Sequence, residues 1–355
     1  VMDLCLSCKG CKSECPSNVD IGKMKAEFLQ QYYDKKGIPL RTRLIAGFNQ
    51  GNRLASILPG LYNFMFKNEG MARPLKKLMG FAKERSMPLL HAHTLKTWFR
   101  RWQKQKPKRP YHQKIYFFCD EFSNYNDVPQ GKALIQLLDH LGYEVIIPPH
   151  LESGRTYLSK GLLRSAQKIA RKNVQLLQNL VKEEQPLIGL EPSAILTFRD
   201  EYPDLLSGKE QEAAKKLAVH CYTFEEFLAQ EVDRGKIKSE QFVEDARLIK
   251  LHGHCHQKSL SSLTPSKKIL SLPKNYQMHL IPSGCCGMAG SFGYEKEHYD
   301  VSMKIGELVL FPTIRKLEAE VIVAAAGTSC RHQIKDGTGR MALHPAEILW
   351  EALIK

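Results

Sequence analysis

Four cysteines near the amino terminus are spaced like the ligands of an iron–sulfur cluster. They form the motif Cys5-x2-Cys8-x2-Cys11-x3-Cys15, and Pro16 follows the fourth cysteine directly. Three thiolates at this spacing can surround one cubane cluster in a tight turn, and soft sulfur ligands favour iron–sulfur chemistry over hard cations. The motif therefore predicts a [4Fe-4S] cluster held by Cys5, Cys8, Cys11 and Cys15. A zinc knuckle is the alternative.

The fourth cysteine leads to an expectation about the whole polypeptide. In two-cluster ferredoxins this cysteine binds the other cluster, so that each motif lends one thiolate to its twin. The chain contains one such motif, close to its first residue, Val1. We therefore expect a twin motif upstream of Val1.

A second group of cysteines is spread over the last hundred residues. Each of its members follows a predicted strand: Cys255, Cys285, Cys286 and Cys330. Because the carboxyl ends of parallel strands share one edge of a sheet, these residues can converge on one site. Adjacent thiolates suit a multinuclear cluster, whereas three cysteines and a histidine would bind a single zinc ion. The histidines that could complete the site are His254, His256 and His332.

The surroundings of the cysteines suggest how reactive each one is. Cys285 and Cys286 precede a glycine-rich turn and a predicted helix, whose amino terminus would lower the pKa of both thiols. Buried structural cysteines remain a third interpretation of this group. Cys119 and Cys221 have no cysteine neighbours in the sequence, and we expect both to be core thiols.

The hydrophobic pattern divides the chain into regions of different fold class. Residues 1–100 predict a helical, ferredoxin-like domain, in which Asp20 caps a helix that ends at Gly37. Residues 101–113 form a basic linker. From residue 114 onward strands alternate with helices, which indicates parallel sheets covered by helices. The predicted fold is thus a multidomain α+β and α/β protein, with long helices over 158–182 and about 295–317.

The α/β part resembles one unit used twice, over 114–247 and 248–355. Three pairs of landmarks recur at a nearly constant offset: Cys119 with Cys255, Gly154 with Gly287, and Ala194 with Cys330. This regularity predicts a duplication in which the first copy is degenerate and has lost most of its cysteines.

The composition excludes several classes of protein. With 43% hydrophobic and 25% charged residues, the sequence is typical of a globular protein, not of a disordered or fibrous one. It has no apolar run of about 18 residues that would span a membrane. The first residues show no secretory signal, so ten cysteines indicate metal or redox chemistry in a reducing compartment. The net charge of +15 implies attraction to an acidic partner, to nucleic acid or to anionic lipid.

The two cysteine groups together resemble one family. The segment Cys-Leu-Ser-Cys-Lys-Gly-Cys-Lys-Ser-Glu-Cys-Pro at 5–16 and the sequence Cys-Cys-Gly at 285–287 carry the resemblance, which extends over essentially the whole chain. The chain resembles the carboxy-terminal iron–sulfur half, with its cysteine-rich CCG domains, of large FAD-linked D-2-hydroxy-acid dehydrogenases of the D-lactate and D-2-hydroxyglutarate type. The glycolate oxidase iron–sulfur subunit, the iron–sulfur subunit of anaerobic glycerol-3-phosphate dehydrogenase and heterodisulfide reductase are similar in these modules.

The resemblance implies an oxidoreductase in which FAD lies on an upstream domain of the same polypeptide. That domain would oxidise the hydroxy acid and pass electrons through [4Fe-4S] clusters to an acceptor that the sequence does not identify. The amino-terminal cysteines would be cluster ligands, and the later group would form the CCG site, holding zinc or a second iron–sulfur cluster. The sequence departs from the family at Gln333, where a second cysteine is expected after Cys330, and at Glu152-Ser153-Gly154, which replaces Cys-Cys-Gly in the first copy.

Two functions follow as hypotheses. The first is an electron-transfer module in the cytoplasm, with no nucleic-acid partner. In this hypothesis the basic strip 96–109 contacts an acidic partner or the inner membrane face peripherally. The second is a zinc-stabilised nucleic-acid-binding protein, in which Trp98 and Trp102 of the same strip stack on bases.

Overall fold

Helices make up the regular structure of the first hundred residues. The computed structural model describes residues 2–355. Seven α-helices precede the first strand: α1 (Gly10–Glu14), α2 (Ile21–Lys36), α3 (Leu40–Ala46), α4 (Phe48–Ala55), α5 (Pro59–Lys67), α6 (Glu69–Met79) and α7 (Leu95–Gln105). Most of the region predicted to be helical is therefore helical, but residues 80–94 form no helix.

Helix α2 begins and ends where its sequence predicts. The Asp20 carboxylate accepts a hydrogen bond from the backbone N–H of Lys23 at 3.0 Å, which satisfies a free amide of the first turn. Gly37 ends the helix with φ +80°, a conformation that a residue without Cβ adopts readily. The apolar face of α2 is only partly covered, because Met24 and Phe28 are 53% and 51% exposed.

The first sheet contains four parallel strands in the order β2-β1-β3-β4. Helices connect successive strands, as parallel pairing requires. Its strands are β1 (Gln113–Phe118), β2 (Tyr143–Ile146), β3 (Leu187–Gly189) and β4 (Cys221–Thr223). Its helices are α8 (Glu121–Tyr125), α9 (Val128–His140), α10 (Arg155–Ser159), α11 (Leu163–Leu177), α12 (Pro192–Ile195), α13 (Thr197–Leu205), α14 (Gly208–Ala218) and α15 (Phe224–Asp233).

The second sheet has three parallel strands in the order β6-β5-β7. Its strands are β5 (Arg247–His252), β6 (Tyr276–Leu280) and β7 (Ile322–Ala325). Its helices are α16 (Cys255–Leu260), α17 (Thr264–Leu270), α18 (Tyr299–Leu308), α19 (Leu310–Arg315), α20 (Thr328–Thr338) and α21 (Pro345–Ala352). In both sheets the first strand lies between the second and the third, and the first sheet adds β4 at the β3 edge. The shared order is what the repeat hypothesis predicts for this part of the two units.

Several predicted elements differ from those in the structure. The helix expected over 158–182 is broken into α10 and α11 at Gly161, which has φ +70°. The helix expected over about 295–317 begins at Tyr299 and is divided into α18 and α19 at Val309, whose φ of −145° is not helical. Helix α7 continues to Gln105, so the first residues of the predicted linker are helical. Strand β4 was not predicted, because its sequence Cys-Tyr-Thr does not form an apolar run, whereas β3, equally short, begins the run Leu-Ile-Gly-Leu at Leu187.

One hydrophobic cluster joins the two α/β units. It contains Phe117 of β1 and Leu251 of β5, both almost fully buried, together with side chains of helices α9 and α21. Since α9 and α21 pack against each other, the two units share a core.

The aromatic residues of the basic strip also belong to this core. Trp98 and Trp102 stack with ring centroids 5.4 Å apart and pack against the shared cluster. Lys132 lies over the Trp98 ring and Lys106 over the Trp102 ring. Both rings are partly buried by these contacts, which reduces the ring surface free for stacking on bases.

Among residues 2–355, no helix combines the length and the apolar character needed to cross a bilayer.

Candidate functional site

The four cysteines of the second unit lie next to one another at the carboxyl edge of its sheet. Cys255 begins α16 after β5, the pair Cys285-Cys286 lies in the loop after β6, and Cys330 is in the first turn of α20 after β7. Their thiols form a chain of hydrogen bonds from Cys255 to Cys285, from Cys285 to Cys286 and from Cys286 to Cys330. Residues separated by 75 positions in the sequence are thus gathered at one place by the parallel topology.

A histidine that was absent from the predicted ligand set belongs to this group. Ligand atoms of His252, Cys286 and Cys330 all lie within 4.8 Å of one another, and all three residues are buried. The Nδ1 atom of His252 is 2.7 Å from the Ser283 hydroxyl, and its Nε2 atom has no hydrogen-bond partner among residues 2–355. Burial lowers the pKa of His252 to about 3, so the ring is neutral. A neutral imidazole with one nitrogen anchored and the other free is the usual state of a metal-binding histidine.

The three histidines predicted from the sequence have other contacts. His254 Nε2 is 3.5 Å from a Glu191 carboxylate oxygen, and His256 Nε2 is 3.1 Å from the Ser7 carbonyl oxygen. His332 Nδ1 is 3.1 Å from the Tyr294 hydroxyl. None of the three belongs to the group of ligand atoms within 4.8 Å of one another. His252 could have been selected instead, because it is the last residue of strand β5.

Thiol pKa values in the second unit are raised, which contradicts the expectation from helix position. The hydrogen bond to Cys285 and then burial raise the pKa of Cys255 well above its ordinary value. For Cys285, the hydrogen bond from Cys255 lowers the pKa, but the hydrogen bond to Cys286 and burial raise it more. Helix α18 begins only at Tyr299, so the helix expected directly after the pair starts too far along the chain to stabilise a thiolate there.

Backbone amides of the amino-terminal motif point at its sulfur atoms. The amide of Ser7 donates to Cys5 Sγ at 3.5 Å, and that of Ile21 donates to Cys11 Sγ at 3.3 Å. A backbone amide also bonds the sulfur of Cys8, and three bond that of Cys15, whose pKa they lower. Hydrogen bonds of this kind surround the thiolates of iron–sulfur clusters and tune them. All ten cysteines are free thiols.

The amino-terminal cysteines lie beside the second group. Burial is the main cause of the raised pKa of Cys8, and the charge of the nearby Cys255 raises that pKa further. The hydrogen bond between His256 and the Ser7 carbonyl joins the two segments directly. A cavity of about 650 Å³ lies between the two cysteine groups. Its wall contains six cysteines: Cys5, Cys8, Cys255, Cys285, Cys286 and Cys330. Cys11 and Cys15 lie outside that wall.

Polar contacts from the first unit hold the helix that carries Cys330. Arg331 of α20 forms a buried ion pair with Asp127 at 2.5 Å. The backbone N–H of Thr328 donates to a Glu191 carboxylate oxygen at 2.8 Å. The first unit therefore helps to shape a site to which it contributes no thiol.

The corresponding pocket of the first unit is closed by hydrogen bonds. Ser153, at the position matched to Cys286, donates through its hydroxyl and its amide to the Glu121 carboxylate at 2.6 and 2.8 Å. The next residue, Gly154, has a positive φ, as Gly287 does in the second unit. Cys119 is buried near Asn124. In this unit a carboxylate–hydroxyl pair occupies the place that thiols occupy in the other.

The other isolated cysteine is also part of the core. Cys221 begins β4, is fully buried, and donates to the Leu217 carbonyl at 3.2 Å.

Comparison with known proteins identifies relatives that cover almost the whole chain. It is 28% identical over 364 residues to a D-2-hydroxyglutarate dehydrogenase from Pantoea ananatis, a match that covers 99% of this chain and 34% of that protein. It is 26% identical over 340 residues to one subunit of the anaerobic glycerol-3-phosphate dehydrogenase from Escherichia coli, a match that covers 95% of this chain and 83% of that subunit. It is 23% identical over 387 residues to a probable glycolate oxidase iron-sulfur subunit from Bacillus subtilis.

The resemblance inferred from the cysteine motifs is confirmed. The relatives are dehydrogenases and iron–sulfur or other subunits of oxidoreductases, so the chain is related to oxidoreductases. It spans about a third of the length of the D-2-hydroxyglutarate dehydrogenases that it matches. No model of a known protein family matches the chain.

The two glycines that flank Cys285-Cys286 provide a test of the site's geometry. A Cβ atom at Gly287, where φ is +93°, would lie 2.3 Å from the Ser302 carbonyl oxygen, whereas a Cβ at Gly284 has open space around it. We expect Gly287→Ala to lower the free energy of unfolding by about 2 kcal/mol or more, because both the backbone strain and the overlap must be relieved. Gly284→Ala should change it by less than about 0.5 kcal/mol. Urea denaturation of the metal-free chain measures the free energy of unfolding of both variants. Equal changes in the two would show that the backbone at Gly287 does not have the positive φ and close contact given above.

Proposed function

We propose that this chain is the iron–sulfur electron-transfer part of a flavin-dependent 2-hydroxy-acid dehydrogenase. The observation that carries the proposal is the adjacency of two thiol groups, one on a ferredoxin-like motif and one at the carboxyl edge of a parallel sheet, around one cavity. Two neighbouring redox or metal centres suit a relay of electrons better than a single structural metal would.

The amino-terminal centre would be a [4Fe-4S] cluster held by Cys5, Cys8, Cys11 and Cys15. The donors are soft sulfurs, and backbone amides already point at them. Among residues 2–355 these thiols are not gathered within 4.8 Å, the distance expected of ligands to one ion. Cluster ligands stand further apart, because each thiolate binds a different iron. When bound, such a cluster accepts and returns single electrons.

The second centre would hold one metal ion, either zinc or iron, at His252, Cys286 and Cys330. These ligand atoms are close enough for one ion, and the unpaired Nε2 of His252 supplies a nitrogen donor. Cys285 and Cys255 adjoin the group and can provide a further thiolate. A second iron–sulfur cluster is the alternative for this centre, since adjacent cysteines can bind different metal atoms.

FAD would be carried by a domain upstream of this chain in the same polypeptide. This inference is supported by the D-2-hydroxyglutarate dehydrogenases, of which the chain matches about a third. In our proposal residues 1–100 receive electrons from the flavin, and residues 101–113 link them to the α/β part of the chain. The degenerate unit 114–247 supports the structure of the thiol-bearing unit 248–355.

We further propose that the helical region contacts the inner face of the cytoplasmic membrane peripherally. Of the 20 exposed large apolar side chains in the described residues, 14 lie before residue 80. The segment 1–105 contains 19 basic and 7 acidic residues, and so carries most of the net positive charge. Exposed apolar groups among basic ones favour an anionic bilayer surface.

The iron–sulfur proposal is tested by anaerobic reconstitution with iron and sulfide. We expect a brown chain, and Cys11→Ser should lose about four irons per chain because Cys11 is exposed and its loss removes one cluster ligand without disturbing the core. Cys221→Ala, a change at a buried thiol that bonds the Leu217 carbonyl, should retain these four irons. A colourless wild-type chain that binds only zinc would contradict the proposal.

The assignment of His252 is tested by zinc affinity in a chain whose Cys5, Cys8 and Cys11 are replaced by serine. His252→Ala should weaken zinc binding by about a hundredfold, because it removes a ligand. His332→Ala, which alters a histidine bonded to Tyr294, should leave the affinity within about threefold. Competition with a chromophoric chelator measures both. If the two variants behave alike, His252 is not a ligand.

The membrane contact is tested by flotation with vesicles. Ile57 is 73% exposed between α4 and α5, and Leu308 is 77% exposed in the second unit. Ile57→Glu should reduce binding to vesicles of phosphatidylcholine and phosphatidylglycerol by about tenfold, since it removes apolar contact and adds negative charge. Leu308→Glu should have little effect. Absence of binding by the wild type, or equal losses in both variants, would contradict a membrane contact through this region.

A further inference from the structure

The loop that carries the amino-terminal cysteines is fastened by its lysines to the first α/β unit. Lys9 and Lys12 stand beside Cys8 and Cys11 in the sequence, and both reach Asp200 on helix α13. Lys12 Nζ is 2.5 Å from one carboxylate oxygen of Asp200, and Lys9 bonds the other. A third lysine, Lys23 of α2, lies 3.0 Å from the Asp200 carboxylate and 3.1 Å from its carbonyl oxygen.

These contacts are buried, and so they restrict geometry more than surface ion pairs do. The side chains of Lys9 and Asp200 are 3% and 5% exposed. Lys9 also pairs with Asp20 at 3.0 Å and with Glu201 at 3.1 Å, so its ammonium group is surrounded by three carboxylates. Burying a charge is costly unless its partners are fixed, and such networks favour one arrangement of the chain over others.

The backbone at this point would not keep its conformation unaided. Lys9 has φ +62° and Ser7 has φ +51°, in the left-handed region that side chains disfavour. Non-glycine residues persist there when surrounding contacts hold them. Two contacts hold this backbone: the ion pairs of Lys9 on one side, and the hydrogen bond from His256 to the Ser7 carbonyl on the other.

We propose that Asp200 is a positioning residue that holds the cysteine loop 5–15 against the second thiol group. The inference rests on the proposed function for its purpose, the approach of two centres, although its geometry stands apart from any bound metal. The first unit, which contributes no thiol to either group, would thus act as the platform on which they are brought together. Although burial by itself would raise the pKa of Asp200, the three lysines hold that pKa below its usual range, so the carboxylate is charged.

The neighbouring Asp204 provides a matched control. It is on the same helix and contacts Lys23 at 2.5 Å, but it is 62% exposed and makes no ion pair with Lys9 or Lys12 among the residues described. Asp200→Asn keeps the size of the side chain and removes its charge, whereas Asp204→Asn makes the same chemical change outside the buried network.

The experiment is hydrogen exchange of the metal-free full chain followed by mass spectrometry. Asp200→Asn should accelerate amide exchange in residues 5–20 by at least about tenfold while leaving strands β1 and β3 of the same unit unchanged. Asp204→Asn should change neither. Asp200→Glu, which restores the charge, should recover most of the protection, and a purely structural role would not give that recovery. If Asp200→Asn does not fold, Lys12→Gln, which removes one half-buried partner, should still accelerate the same segment by a few-fold.

Unchanged exchange in residues 5–20, or acceleration spread equally over the whole unit, would overturn the proposal. The readout does not require iron. A wild-type chain that fails to bind iron would therefore refute the proposed function and leave this inference standing. If exchange in residues 5–20 does not change in Asp200→Asn, this inference is refuted and the proposed function still stands.

Discussion

The contact between the start of helix α16 and the loop that carries Cys8 is the constraint on which the rest of the structure depends. One hydrogen bond, from His256 to the Ser7 carbonyl, joins residues that flank a cysteine in each group. It can form only if the second sheet presents its carboxyl edge toward the helical region. It also requires the loop to adopt a left-handed backbone. The ion pairs of Lys9, the shared core of the two units and the anchoring of α20 by Asp127 all serve that single juxtaposition.

The two α/β units show how one architecture is kept closed by different chemistry. Both place a loop with a left-handed glycine at the carboxyl edge of a parallel sheet. In the second unit, thiols meet around that loop. In the first, Glu121 bonds both the amide and the hydroxyl of Ser153, and these bonds close the edge without a metal. A buried carboxylate is tolerable there because its oxygens are satisfied by hydrogen bonds.

Much of the fold could be predicted from the sequence, because it follows from the alternation of strands and helices. The gathering of the thiols could be predicted too, because it follows from the topology of a parallel sheet. Alternating strands and helices imply parallel sheets, and parallel sheets bring Cys255, Cys286 and Cys330 to one edge. The sequence offers one signal for His252, its place at the end of β5, but the closeness of its ring to Cys286 and Cys330 depends on the folded surroundings. The breaks at Gly161 and Val309 depend on tertiary packing. The reach of Lys9 to Asp200 crosses 191 residues and leaves no local pattern.

That separation affects the order in which the molecule can be assembled. The cysteine loop is synthesised before both of its anchors, which lie 191 and 249 residues further along the chain. On the ribosome, the loop therefore has no surface to dock on until both α/β units have emerged and folded. During that interval its thiols are open to the solvent. Docking then fixes the conformation of a loop that was free until that point, so the placement of the amino-terminal motif follows the folding of the second α/β unit.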